Sequence, residues 1–199
     1  MFNTFEALRE DMVPNVFRLA KHLIQTLNAT VDSPTIAATL SSDSIRLLLE
    51  ELTTRLLQTA DSPSLKDLSR FINMLLLRLF THGDLTAIFS ALFDLLSAAT
   101  INLHDLRVKN ESPEAKLPEL VLKCVWKTAR NVKDDLQAER LDASVLLYTL
   151  EQFLQKIPPA EWRSRASDEI ALGDMPLRTV KTIIQSLVCK LATCMLLYR

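Results

Sequence analysis

Apolar residues recur at three- and four-residue intervals along almost the whole chain, the spacing of one face of an α-helix. Pro14 opens a predicted helix running to about residue 28, with Val16, Leu19, Ala20, Leu23, Ile24 and Leu27 inward. Ser33 with Pro34 combines a good N-cap with proline at the first helical position, and predicts a short helix over 35–40. Ser42 or Asp43 caps the next, whose stripe of Ile45, Leu48, Leu49, Leu52 and Leu56 ends near Thr59. Ser62 with Pro63 repeats the signal before Leu65, Leu68, Ile72, Leu75, Leu76 and Leu79, and Gly83 stands where a helix C-cap wants glycine. Asp84 caps a helix carrying Leu85, Ile88, Phe89, Leu92, Phe93 and Leu96.

A polar stretch over 104–117 reads as the one long loop. Pro118 then opens a helix to about residue 132, with Val121, Cys124, Val125 and Thr128 on one side and Leu122, Trp126 and Ala129 on the other. Further helices are predicted over 142–157, over 160–165 after Pro158 and Pro159, and from Met175 and Pro176 nearly to the end. No alternating β-branched run or Asn-Gly turn signals a strand. The pattern predicts an all-α fold of antiparallel helix pairs stacked as a HEAT-like solenoid, with an irregular helical bundle as the alternative. The organisation reads as amino-terminal helical pairs over 1–103, the loop over 104–117, and carboxyl-terminal helices of the same domain over 118–199.

Composition narrows the chemistry. Of 199 residues, 48% are hydrophobic and the net charge is -1, against the basic character of phosphate-backbone binders. Only 2 glycines, Gly83 and Gly173, leave no material for phosphate-cradling loops. The 3 cysteines, Cys124, Cys189 and Cys194, lack disulfide-framework spacing, and Cys189 and Cys194 read as small apolar core residues. No apolar run reaches the roughly 18–20 residues of a membrane span, and the amino terminus lacks a secretory pattern. His22, His82 and His104 stand apart, and the acidic pairs Glu50-Glu51 and Asp134-Asp135 read as solvated charges. The expectation is a non-enzyme with no metal, no cofactor, no small-molecule substrate, no nucleic acid and no membrane partner.

Two features point to partner binding. Trp162, among Glu161, Arg163 and Arg165, reads equally as core or as an interface anchor, whereas Trp126 reads as core. Arg178 and Lys181 share one side of the last helix, where positive charge opposes the helix dipole. The candidate partner-binding residues are therefore Arg178, Lys181, Trp162, Arg163 and Arg165.

The segment MPLRTVKTIIQSLVCKL, from Met175, resembles a stretch near the carboxyl end of the ch-TOG/Minispindles family of microtubule polymerases. ELVLKCVWKTAR, from Glu119, is similar to a second motif of that family lying upstream of the first, and 71–96 is similar to a helical pair. The resemblance covers most of residues 45–191. It implies a cryptic or degenerate TOG-like, HEAT-like domain lying after the tubulin-binding array. It also implies a role in microtubule plus-end growth and spindle organisation, with tubulin and TACC-family adaptors as partners. The implied location is the cytoplasm, on the cytoskeleton, spindle and centrosome. Tubulin-facing turns would be those at 59–63, 82–84, 133–139 and 168–174; the first two hold little basic charge, so direct tubulin binding is expected to be weak or absent. The alternative is a structural spacer or generic helical scaffold. Residues 192–199 do not continue the family pattern, and no TOG array precedes the segment, as expected of a fragment, a truncated product or an incorrect gene model.

Overall fold

The computed structural model describes residues 14–60 and 65–197, with side chains at 18–59 and 65–189. Among these the chain is all-α: ten helices and no strand, in the HEAT-like class. The helices are α1 (Pro14–Val31), α2 (Pro34–Ala37), α3 (Ser42–Ala60), α4 (Lys66–His82), α5 (Leu85–Thr100), α6 (Pro113–Ala129), α7 (Val132–Gln137), α8 (Ala143–Lys156), α9 (Pro159–Ser167) and α10 (Met175–Leu197). Expectations for Val16, Ser62, Pro63 and the Cys194 side chain lie outside the described residues.

The chain gathers into two compact units, one of residues up to Leu40 with Thr54–Gly83, the other of Ser41–Thr53 with the chain from Asp84 onward. α3 contributes to both.

In the first unit α1 packs on α4. Lys21 sits 5.5 Å from the Phe71 ring centroid, Asn28 donates to the Phe71 carbonyl at 3.2 Å, and Arg78 donates to the Asn28 carbonyl at 3.1 Å. Asp32 pairs with Arg78 at 3.4 Å and lies 3.9 Å from His82. Residue numbers rise together along both helices, so they run parallel, with α3 intervening in sequence. Ala20, Ile24, Val31, Ile72, Leu75 and Leu79 fill this core. Leu19, expected inside, is exposed: the buried series steps through Ala20, Ile24, Asn28 and Val31, and Leu19 lies about 100° round the helix from Ala20.

The second unit repeats the arrangement with α5 and α8. Thr86 Oγ1 accepts from the Asp142 N–H at 3.1 Å, Ser90 and Thr149 share a hydrogen bond at 3.1 Å, and Lys156 pairs with Asp94 at 3.0 Å. These helices also run parallel, with α6 between them in sequence and packed on α5. Alternate long helices pointing the same way is what helix–turn–helix repeats produce. Asp84 and Asp142 each accept two backbone N–H groups at the starts of α5 and α8, so the cap expected of Asp84 is formed and Asp142 makes the same one.

Several local expectations are corrected. Ser33 makes no capping bond to the backbone; its hydroxyl bonds Thr35 instead. Gly83 ends α4 in an extended conformation (φ -75°, ψ 171°), not a left-handed one. α6 begins at Pro113, because Ser112, Pro113 and Glu114 carry the same start signal as the Pro118 region. Pro118 lies inside that helix and is buried. The expected turn at 133–139 is largely α7, whose Asp135 is buried beside Val132 and Leu136 and paired with Arg140 at 3.3 Å. Its carboxyl is pushed above the usual range by burial, with Arg140 pulling it down and Asp134 pushing it up. Cys189 is exposed, two residues and so about 200° away from buried Leu187.

Candidate docking face

Within the second unit, a groove of about 620 Å³ lies along the outer side of α6 and is closed by the turn before α10. α6 turns about 100° per residue, so Glu119, Lys123, Trp126, Lys127 and Arg130 fall within one third of its circumference. Ala115, Val121, Leu122, Cys124, Val125 and Thr128 face the core. Leu122 and Ala115 mark the edge of the buried arc, and Trp126 lies about 40° beyond the first and about 20° beyond the second. That places Trp126 outside the core, 41% exposed, against the expectation from its apolar neighbours. Cys124 is buried as expected; burial pushes its thiol up to about 11, with Lys127 pulling the other way.

The opposite wall is Leu172 and Met175, with Asn110 at one end. It is fixed by two loops that bond to each other. Ala171 donates to the Val108 carbonyl at 2.8 Å, Leu172 donates to Asn110 Oδ1 at 3.0 Å, and Lys109 Nζ donates to the Asp168 carbonyl at 2.9 Å. Leu172 is held at φ 67°, a left-handed conformation uncommon for a branched residue. Gly173 follows at φ 50°, with Ala166 only 3.4 Å from where a Cβ would stand. Met175 is 50% exposed at the start of α10.

The rim is basic. Lys123 pairs with Glu119 at 2.8 Å. Lys127 and Arg130 have no ion-pair partner among the described residues.

The structure distributes the sequence-predicted residues differently. Trp162 and Arg165 are both 0% exposed and cannot be surface anchors. Trp162 stacks on Phe153 at 5.8 Å, and Phe153 meets Phe93 edge-on at 5.2 Å. The Arg165 guanidinium lies 4.7 Å from the Trp162 ring centroid, donates to Glu161 at 2.6 Å, and reaches the Thr100 and Ile101 carbonyls at 2.7 and 3.4 Å. A cation there answers the carbonyls at the end of α5, which accounts for its burial in a segment that reads as polar. Arg163 is exposed on α9, its Nε donating to the Pro159 carbonyl at 3.2 Å. Arg178 and Lys181 are both exposed on α10, Arg178 paired with Asp174 at 2.9 Å.

Lys123, Lys127, Arg130, Leu172 and Met175 escaped the sequence reading as a site. Their signal is the charged arc of α6 interrupted by a tryptophan. Among the described residues no three metal-ligating side chains stand together, and no helix is long and apolar enough to cross a membrane.

The chain is 28% identical over 183 residues to Protein MOR1 of Arabidopsis thaliana, covering 86% of this chain and 9% of that protein. It is 26% identical over 122 residues to Protein mini spindles of Drosophila melanogaster, covering 60% and 5%. It is 24% identical over 190 residues to Centrosomal protein 224 of Dictyostelium discoideum, covering 93% and 8%. The chain thus spans 5% to 9% of the length of these curated relatives. No family model matches, and no solved structure does.

Proposed function

The chain belongs to the ch-TOG/Minispindles family, and on that footing we propose that it is a non-catalytic interaction domain of a microtubule-associated protein. It supports plus-end growth and spindle organisation by docking tubulin or a TACC-type adaptor, and it works on the cytoskeleton, at the spindle and centrosome. One observation carries the reading: the two segments that resemble the family's motifs, 119–130 and 175 onward, meet at one groove, the first along its length and the second through its first residue, Met175. Trp126 and Met175 are 41% and 50% exposed and line the same groove, so they form a shared apolar patch inside a charged rim. Arg178, Lys181 and Arg163 are further exposed cations available to the same partner.

Microtubule co-sedimentation and TACC pull-down with the full chain test the proposal. Wild type is expected to be retained by one partner, and less so as salt rises. The Arg178→Ala, Lys181→Ala double variant should weaken retention while shifting stability by no more than about 0.5 kcal/mol, since an exposed ion pair contributes little. Retention by neither partner at low salt defeats the proposal and leaves a structural spacer.

A further inference from the structure

We propose that the α6 groove takes a short acidic protein segment with an apolar anchor at its centre; this rests on the docking reading above and names the chemistry of the partner.

The floor and walls determine the anchor. Leu122 on one side and Leu172 on the other are buried, while Trp126 and Met175 beside them are 41% and 50% exposed. Such a slot gains by burying a leucine or phenylalanine side chain. Tryptophan supplies a large rigid contact, and methionine adapts its shape to the guest. Leu172 keeps its left-handed backbone through the Asn110 bond, so the slot is pre-shaped at the cost of a disfavoured conformation.

The rim determines the flanks. Three cations, Lys123, Lys127 and Arg130, face one anion, Glu119, for a local excess of two positive charges on a chain whose net charge is -1. Glu119 is already committed to Lys123, which leaves Lys127 and Arg130 for carboxylates of the guest. From Glu119 to Arg130 the helix rises about 16 Å, a length that roughly five extended residues span. An apolar floor inside a basic rim favours a protein segment over nucleic acid, whose charge is continuous and whose phosphates Glu119 would repel.

The test uses the full chain and a synthetic EEDLFEDE peptide, with intrinsic tryptophan emission as the readout. Trp162 is already buried, so a blue shift on titration reports Trp126. Wild type should bind with a blue shift. Lys127→Glu with Arg130→Glu should weaken binding about tenfold or more and prefer the charge-swapped peptide KKRLFRKK, a gain that an unfolded variant cannot show. A peptide with serines replacing Leu-Phe should lose the blue shift. The assignment is overturned if wild type ignores EEDLFEDE, if the reversal leaves affinity unchanged, or if an oligonucleotide of equal charge binds more tightly. Microtubule co-sedimentation and TACC pull-down on the same preparations separate the two readings. Retention by either partner without peptide binding sinks the groove assignment alone. Peptide binding without retention by microtubules or TACC sinks the microtubule reading alone.

Discussion

Trp162 is fully buried, stacked on Phe153 and overlaid by Arg165, whereas Trp126 is 41% exposed. Trp162→Ala should therefore cost about 3–5 kcal/mol, as large-to-small core changes do. Trp126→Ala should cost no more than about 1 kcal/mol. Urea unfolding of both variants checks this, and equal losses would mean that α6 is rotated from its described phase. Cys124 gives a second reading of that phase. The thiolate is the reactive form, and burial holds this thiol near 11. In a Cys189→Ser, Cys194→Ser chain, Cys124 should resist a thiol reagent at pH 8 until denaturant is added; labelling at the rate of a free thiol would contradict its burial. Cys124 was legible because it sits mid-arc in the apolar pattern. Trp126 was not, because it stands one step past the arc's edge and its size suggested core. Trp162 and Arg165 misled in the opposite direction: α9 is too polar to read as buried, and its binding sites, Phe153 and the end of α5, lie elsewhere in the sequence.

At the scale of elements, caps and prolines carried most of the information. Asp84 and Asp142 locate their helix starts to the residue. The start of α6 was missed because Pro113 and Pro118 compete for the same role, and only packing decides between them. α7 was missed because six residues with two aspartates hold too little periodicity to register. α9 is tied to α5 through Arg165. Replacing it with methionine keeps most of the volume but leaves the Thr100 carbonyl unanswered and Glu161 without its cation. Losing one member of a buried pair typically costs 3–5 kcal/mol, and Glu161 is partly solvated, so about 2–3 kcal/mol is expected. Differential scanning calorimetry would show it. An unchanged melting temperature would mean that Arg165 is dispensable to the α5 terminus.

For the whole molecule, the all-helical class was legible from periodicity and the scarcity of glycine. Each unit contains a parallel pair of helices with another helix between them in sequence, the order that helix–turn–helix repeats impose. The docking face was not legible from local pattern, because it joins the α6 surface to a turn some forty residues later through backbone bonds between loops. Only the family resemblance had singled out both segments, and it could not reveal that they meet. The near-neutral chain also concealed the basic rim, since the charges that offset it lie elsewhere.

The central claim is that this face docks a partner from the microtubule system. Retention of the full chain by tubulin and by a TACC adaptor should be measured across a salt series, for wild type and for Trp126→Ala with Lys127→Glu. Wild type should be held by one partner at low salt and released as salt rises. The double variant should lose about tenfold or more in affinity with little change in melting. Undiminished binding by a folded double variant would contradict the claim.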